Sequence, residues 1–325
     1  RFPGVLQYFG FSYLWCALTV VLTGSWDGLP GQSAQAAFER QELNLSSPGG
    51  GKGFPYDRFL DLRFFWREWP VILVAPSLWL LLTFGVHVPG CGKGYLGPGG
   101  RSLEHDHDHD HGKDHSGHGG DYSECTGGAH RFIDLQVFGH QHLYGEPTCS
   151  GAYECKTPYD PEGLVGAFNA VLLTYLGLLA GRSLVYHSSS KACMLRLSMQ
   201  GTLALALGAA LCGCKQHGGP IPVNKNLWSL SFVLVTAGFG CWTLCGLYWL
   251  VDHAKLWSGA PFKYTGMNSI VVYAGSEILE GYFPFHVGGW SEYDHWGHLF
   301  SNAWGAGCWN AFATYLFHRK IFIKI

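Results

Sequence analysis

LVGAFNAVLLTYLGLLAG, residues 164–181, is an eighteen-residue run without Asp, Glu, Lys or Arg. A helix of about 18 to 20 residues crosses the roughly 30 Å hydrocarbon core of a bilayer, so this stretch predicts a membrane span. Six further runs read the same way: 5–22, 70–88, 197–213, 228–250, 266–285 and 299–317. Among the seven, only 266–285 carries acidic or basic residues, Glu277 and Glu280. Most of the runs are flanked by Trp, Tyr, Lys or Arg, as interfacial anchoring requires. The fold expected is therefore all-α, a multi-pass transmembrane helix bundle treated as one domain over 1–325.

The composition agrees. Lys+Arg number 21 and Asp+Glu 23, so 14% of 325 residues are charged, against 47% apolar. Soluble proteins carry about 25% charged residues. A net charge of −2 leaves no basic footprint for nucleic acid, and the aromatic and apolar content excludes a disordered or collagen-like chain. The lipid bilayer is the partner that this composition implies.

Orientation follows from the basic residues of alternate loops. The set 23–67, 182–196, 251–265 and 318–325 holds 13 of the 21, from Arg40 to Lys324, and the opposite set holds eight. The C-terminus is thus expected in the cytoplasm and the loop 89–163 in a lumen or outside the cell. Cysteine usage agrees, because Cys91, Cys125, Cys149 and Cys155 all fall in that one loop, and disulfides belong to oxidising compartments. Four cysteines allow three pairings; Cys91 with Cys125 and Cys149 with Cys155 is the favoured one. The sequon at Asn44 falls on the cytoplasmic side and is expected to be unused. The chain opens on Arg1-Phe2-Pro3-Gly4 and enters a span at once, as expected of a piece of a longer protein.

Several polar residues need a reason. Glu277 and Glu280 share a helix face at i, i+3, with Asn268 on the same expected span. They either line a polar cavity or bond between helices, since charge inside a membrane is costly. The loop Ile221-Pro222-Val223-Asn224-Lys225-Asn226-Leu227-Trp228-Ser229 offers amides and an ammonium at the membrane surface, suited to a phosphate, a pantetheine amide or a sugar, or equally to capping the next helix through Asn226. Tyr159-Asp160-Pro161-Glu162-Gly163 has the pattern of a helix start, while Glu162 could also orient a substrate amine. Arg1 could pair with a phosphate or act as a flanking charge. The run Glu104–His111, within a His/Asp-rich segment 104–120, is dense enough to bind metal adventitiously at His105, His107, His109 and His111, but its glycine-rich flanks do not build a closed site. It reads as a loop insertion.

The strings RFPGVLQ (1–7), GYLGPGG (94–100), CTGG (125–128), YDPEG (159–163), IPVNKNLWSL (221–230), GMNSIVV (266–272) and YFPF (282–285) together resemble the lysosomal transmembrane N-acetyltransferase family of heparan sulfate breakdown, in its C-terminal portion. The resemblance runs over essentially the whole chain. It implies eleven spans, of which this chain would hold the last seven, and transfer of acetyl from cytosolic acetyl-CoA across the lysosomal membrane to the terminal glucosamine of heparan sulfate. It also places family cysteines at Cys91 and Cys125. The family's catalytic histidine lies between earlier spans, and none of the 17 His here corresponds to it, so no catalytic residue is carried over. Cofactor or carbonyl contacts are expected from Arg1, Asn224, Lys225, Asn226 and Ser229, with Glu162 and Glu277 as polar orienting groups and a homo-oligomer as one assembly open to it. A multi-pass transporter lined by Glu277 and Glu280, or a membrane acyltransferase for another glycan, are the competing readings.

Overall fold

The computed structural model describes residues 4–23, 65–97, 125–148, 157–186, 190–215, 219–279, 282–283 and 295–323. It is mostly helical and divides into two compact units, 1–246 and 247–325. The first unit contains α1 (Val5–Leu22), α2 (Glu68–Gly85), a two-stranded antiparallel hairpin of β1 (His87–Val88) and β2 (Gly92–Lys93), α3 (Gly128–Phe138), α4 (Leu164–Tyr186) and α5 (Ser190–Cys212). It also takes in most of α6 (Leu230–Tyr248), which a π-helical turn extends to His253.

Among the described residues, five helices are long and apolar enough to cross a membrane: α1, α2, α4 to Val185, α5, and α6 with its extension. Their surfaces are inverted relative to a soluble helix. In α1, Leu6 is 72% and Leu22 77% exposed, whereas Ser12 and Thr19 are 2% and 1% exposed. Apolar side chains face outward to lipid, and the small polar ones face the bundle, where Thr19 Oγ1 donates back to Trp15 O at 2.8 Å. This is how a membrane protein distributes polarity.

Helix α4 is the hub, packing against α1, α2, α3 and α5. Its Val171, Leu172, Tyr175, Leu176 and Leu179 form one core cluster with Cys16 of α1, Ile72 and Ala75 of α2 and Val233 of α6. Where α5 meets α6, small residues let the backbones approach. A Cβ on Gly201 would sit 3.0 Å from Gly238 O, and one on Gly238 would sit 2.6 Å from Leu205 Cγ. Close approach of this kind is how helices associate in lipid, where no hydrophobic drive separates them from their surroundings.

Three sequence expectations change. First, α2 begins at Glu68, inside the bundle rather than in a loop. Its carboxylate is fully buried and takes two hydrogen bonds, at 2.6 and 2.8 Å, from the guanidinium of Arg182. Arg182, expected in a loop, belongs to α4 and lies 3.7 Å above the Phe65 ring. A buried charge persists only when paired, which is why neither residue reads as buried from its local sequence. Second, the span expected over 266–285 is not one helix. It breaks into α7 (Phe262–Met267) and α8 (Ser269–Ile278) at the fully buried Asn268, whose φ of −124° and ψ of 33° leave the helical region and whose Oδ1 accepts the Ile323 N–H at 3.3 Å. At ten residues α8 is about 15 Å long, half a bilayer. Third, the last expected span forms α9 (His295–His318), 24 residues long, but its histidines, asparagines and glycines keep it outside the five helices apolar enough to cross.

In the second unit α9 packs on α7 and α8, with Trp309 against Gly275 and Tyr264 against Phe317 at 4.3 Å. The disulfide Cys91–Cys125 ties the hairpin to the start of α3. Cys149, Cys155, Arg1, Asn44, Glu280 and the segment 104–120 lie outside the described residues.

The α5–α6 seam gives a direct test. Gly238→Val is expected to force the helices apart and to cost about 1 to 3 kcal/mol, seen as a lower thermal unfolding midpoint in detergent, while the same change at Gly240, which has open space around it, is expected to cost far less.

Candidate functional site

Polar groups concentrate at the end of the first unit where α4 begins. There, α3, the turn 157–163 and the loop 221–229 meet. Helix α3 was not anticipated from the sequence. It starts from Gly127, whose φ of 79° favours glycine and whose missing Cβ leaves room for the Tyr159 ring. One face of α3 turns inward, burying His130 and Asp134, four residues apart.

Asp134 is the group most altered by its surroundings. It is 1% exposed, Oδ1 accepts the Leu164 N–H at 2.9 Å, and Oδ2 has no hydrogen-bond partner among the described residues. Burial pushes its carboxyl up to about 7; the Leu164 bond opposes the rise and the nearby Asp160 adds to it. His130 is affected in the opposite direction. Burial lowers its imidazole to about 3, so the ring is neutral; Nε2 pairs with Thr83 Oγ1 at 3.0 Å, and Trp79 meets the ring edge to face at 5.5 Å. Burial likewise raises the Tyr159 hydroxyl well above its ordinary value, and that hydroxyl donates to Asn226 O at 2.9 Å.

A pocket of about 200 Å³ opens beside α3, lined by Arg131, Asp134, Leu135, His140, Leu143, Tyr144, Gly145, Pro158, Tyr159 and Asp160. Arg131 Nε donates to Pro158 O at 3.0 Å, and Asp160 accepts the Glu162 N–H through Oδ1 and the Tyr144 N–H through Oδ2, both at 3.1 Å. At about 30 Å³ per water in the liquid, the pocket holds several waters or one small polar ring. Its side chains can bind and exchange protons and can accept hydrogen bonds from an amine or hydroxyl.

The residues picked from the sequence take distinct positions. Asn224 Oδ1 accepts the Asn226 N–H at 2.9 Å and the Leu227 N–H at 3.4 Å, as in an Asx-turn. Ser229 is fully buried: Oγ donates to Pro222 O at 2.8 Å and accepts the Asn224 N–H at 3.0 Å. Asn226 Nδ2 donates to Thr148 Oγ1 at 3.2 Å, so it reaches across to the long loop instead of capping the next helix. These three amide and hydroxyl side chains hold the loop in shape, and Lys225 is exposed at its tip. The turn around Glu162 meets this loop through Tyr159. Glu277 is exposed on α8, in the second unit. Arg1 is outside the described residues, as are His105, His107, His109 and His111; no cluster of metal-binding side chains occurs among the described residues.

Sequence reasoning passed over Asp134, His130 and Tyr159. The available signal was the i, i+4 spacing of His130 and Asp134 within GAHRFIDLQVF, directly after the CTGG string.

These features define a class: a helical membrane protein with buried ionisable groups at both ends of its central helix, His130, Asp134 and Asp160 at the start of α4 and the Glu68–Arg182 pair toward its other end. Comparison narrows it. Over the whole chain the sequence is 38% identical, across 326 residues, to human heparan-alpha-glucosaminide N-acetyltransferase, and 36% identical, across 328 residues, to the mouse protein of that name. The chain spans 44% of the length of each. No family model matches it. The resemblance carried by the motifs therefore extends from one end of the chain to the other.

His130 and Asp134 make opposing contributions to stability. Asp134 keeps its proton in the fold up to about pH 7 but loses it near 3.8 when unfolded, so its contribution falls as pH rises across that window. His130 is neutral in the fold above about pH 3 but holds a proton to about 6.5 when unfolded, so its contribution rises with pH. Between pH 4 and 6.5 the two cancel. Asp134→Asn is expected to leave stability rising by about 1.4 kcal/mol per pH unit, and His130→Gln to leave it falling by a similar slope; unfolding midpoints against pH that match the parent profile in both variants would contradict the assignment.

Proposed function

We propose that this chain is the membrane-embedded part of an N-acetyltransferase that moves an acetyl group from acetyl-CoA to the terminal glucosamine of heparan sulfate. The observation that carries this reading is whole-chain identity of 38% to a protein of that activity by name. An eleven-span architecture of which this chain holds the later part, the C-terminus in the cytoplasm and the loop 89–163 in the lysosomal lumen belong to the same reading. The disulfide Cys91–Cys125 supports the luminal side.

Acylating an amine requires loss of the ammonium proton, stabilisation of the oxyanion that develops on the thioester carbonyl, and exclusion of water from the thioester. In this reading the acceptor sugar approaches the α3 end of the bundle, where the pocket and the loop 221–229 lie. Asn224, Asn226 and Ser229 give that loop its shape, and Lys225 at its tip is the candidate contact for an anionic group of cofactor or glycan. Glu162 sits at the start of α4 as an orienting carboxylate. Arg1, outside the described residues, and Glu277, on α8 of the second unit, remain proposed contacts.

Membranes from cells expressing the complete protein, supplied with radiolabelled acetyl-CoA and a heparan fragment ending in glucosamine, are expected to label the sugar amine, and Lys225→Ala to raise KM about tenfold with a smaller change in kcat. Uptake of label into vesicles without a labelled sugar would favour a transporter instead.

A further inference from the structure

Along the first turns of α4, three neighbours present buried polar atoms without a hydrogen-bond partner among the described residues: Asp134 Oδ2, Tyr8 Oη and Asn169 Oδ1. They follow the helix in register. A Cβ on Gly163 would collide with Asp134 Oδ2, a Cβ on Gly166 would lie 2.9 Å from Tyr8 Oη, and Asn169 comes three residues later. The positions 163, 166 and 169 rise about 9 Å along the chain at about 1.5 Å per residue, and Trp228 joins the inner two, its ring packing on Tyr8 and its carbonyl taking the Asn169 amide. Glycine at the first two stations removes the side chains that would fill the row.

All three side chains are deeply buried, at 1%, 4% and 0% exposure. An unpaired polar atom in such a place carries its full desolvation penalty, and three along one helix form a site with a common purpose more readily than three separate defects. Asp134 and Asn169 have their other polar atom committed, and Tyr8 is fixed by its ring. Asp134 Oδ1 holds the Leu164 N–H, Asn169 Nδ2 donates to Trp228 O at 2.8 Å, and the Tyr8 ring lies 4.8 Å from the Trp228 ring. The outer end of the row meets solvent, because Asp134 also lines the 200 Å³ pocket.

We propose that Asp134, Tyr8 and Asn169 line a hydrated proton path that enters through the pocket beside α3 and follows α4 about 9 Å toward the middle of the bundle. The ligands it takes are water and a proton. Asp134 is the station that stores charge: its carboxylate accepts one proton to become the neutral acid and returns it to a pocket water. The groups facing it are His130 and Arg131 of α3, His140 and Tyr144 beyond it, Tyr159, Asp160 and Glu162 of the turn, and Tyr8 of α1. The use of the path, though not its existence, rests on the acetyl-transfer reading. When the N–C bond of the amide forms and the C–S bond of the thioester breaks, the ammonium gives up two protons, one leaving with the thiol and one needing an exit.

The test uses the full chain in nanodiscs and does not involve activity. Radiolytic hydroxyl labelling in ¹⁸O-water, read by mass spectrometry, reports water beside a buried side chain. Tyr8, 4% exposed, is expected to be labelled at least tenfold faster than Trp79, which is 0% exposed and has its Nε1 bonded to Leu227 O. Infrared spectra of protein carrying ¹³C-carboxyl Asp then follow the acid band, which Asp134→Asn assigns. In Tyr8→Phe, which removes one oxygen and keeps the packing, that band is expected to shift in frequency and its midpoint to move by about half a pH unit or more, the change expected when a shared water is lost. Labelling of Tyr8 no faster than of Trp79, or an acid band that Tyr8→Phe leaves unmoved, would overturn the proposal. A chain that passes both tests but shows no acetyl transfer would retain the path and lose the enzymatic reading.

Discussion

Helix α4 sets the constraint on which the first unit depends. About 61% of its membrane window is buried, against roughly a third for each of the other four candidate spans. A helix so enclosed cannot satisfy polar groups with lipid headgroups or bulk water, so whatever it carries must be met by its neighbours. At one end α2 supplies Glu68 to Arg182, with Phe65 covering the guanidinium. At the other, α3 supplies Asp134 to the Leu164 N–H, one of the backbone donors that any helix start leaves unpaired. Between them, Asn169 of α4 ties the loop 221–229 to the helix through Trp228 O. The apolar contacts of Val171, Tyr175 and Leu179 fill the space that these polar clamps define.

The two clamps differ in physical character. Glu68 and Arg182 are a bidentate pair with both charges neutralised and both sets of hydrogen-bonding atoms used. Asp134 is buried with Oδ2 unpaired among the described residues and keeps its proton to about 7. Such a group is well suited to taking up and releasing a proton, whereas the ion pair is suited to holding two helices in register.

Much of this was legible in sequence because lipid imposes a simple rule. The run 5–22 becomes α1 with the same limits, and 164–181 becomes the body of α4. Composition cannot report where a chain breaks a helix: Asn268 does so because a distant strand of chain at Ile323 uses its side-chain oxygen. It also cannot report pairing across 114 residues, so Glu68 and Arg182 read as loop charges. The loop 221–229 was legible as a polar element, but its amides proved to be engaged with each other. Asp134 escaped notice because an aspartate in an amphipathic segment is ordinary; its properties come from Gly163 and the end of α4, brought to it only by the fold.

The claim that α4 is held by paired polar groups is tested most directly by a double-mutant cycle on Glu68 and Arg182, read as unfolding free energy of the full chain in detergent. Glu68→Leu and Arg182→Met alone are each expected to cost about 3 to 5 kcal/mol, since each strands a buried charge, while the two together recover most of the loss. Single losses below about 1 kcal/mol that simply add in the double variant would contradict it.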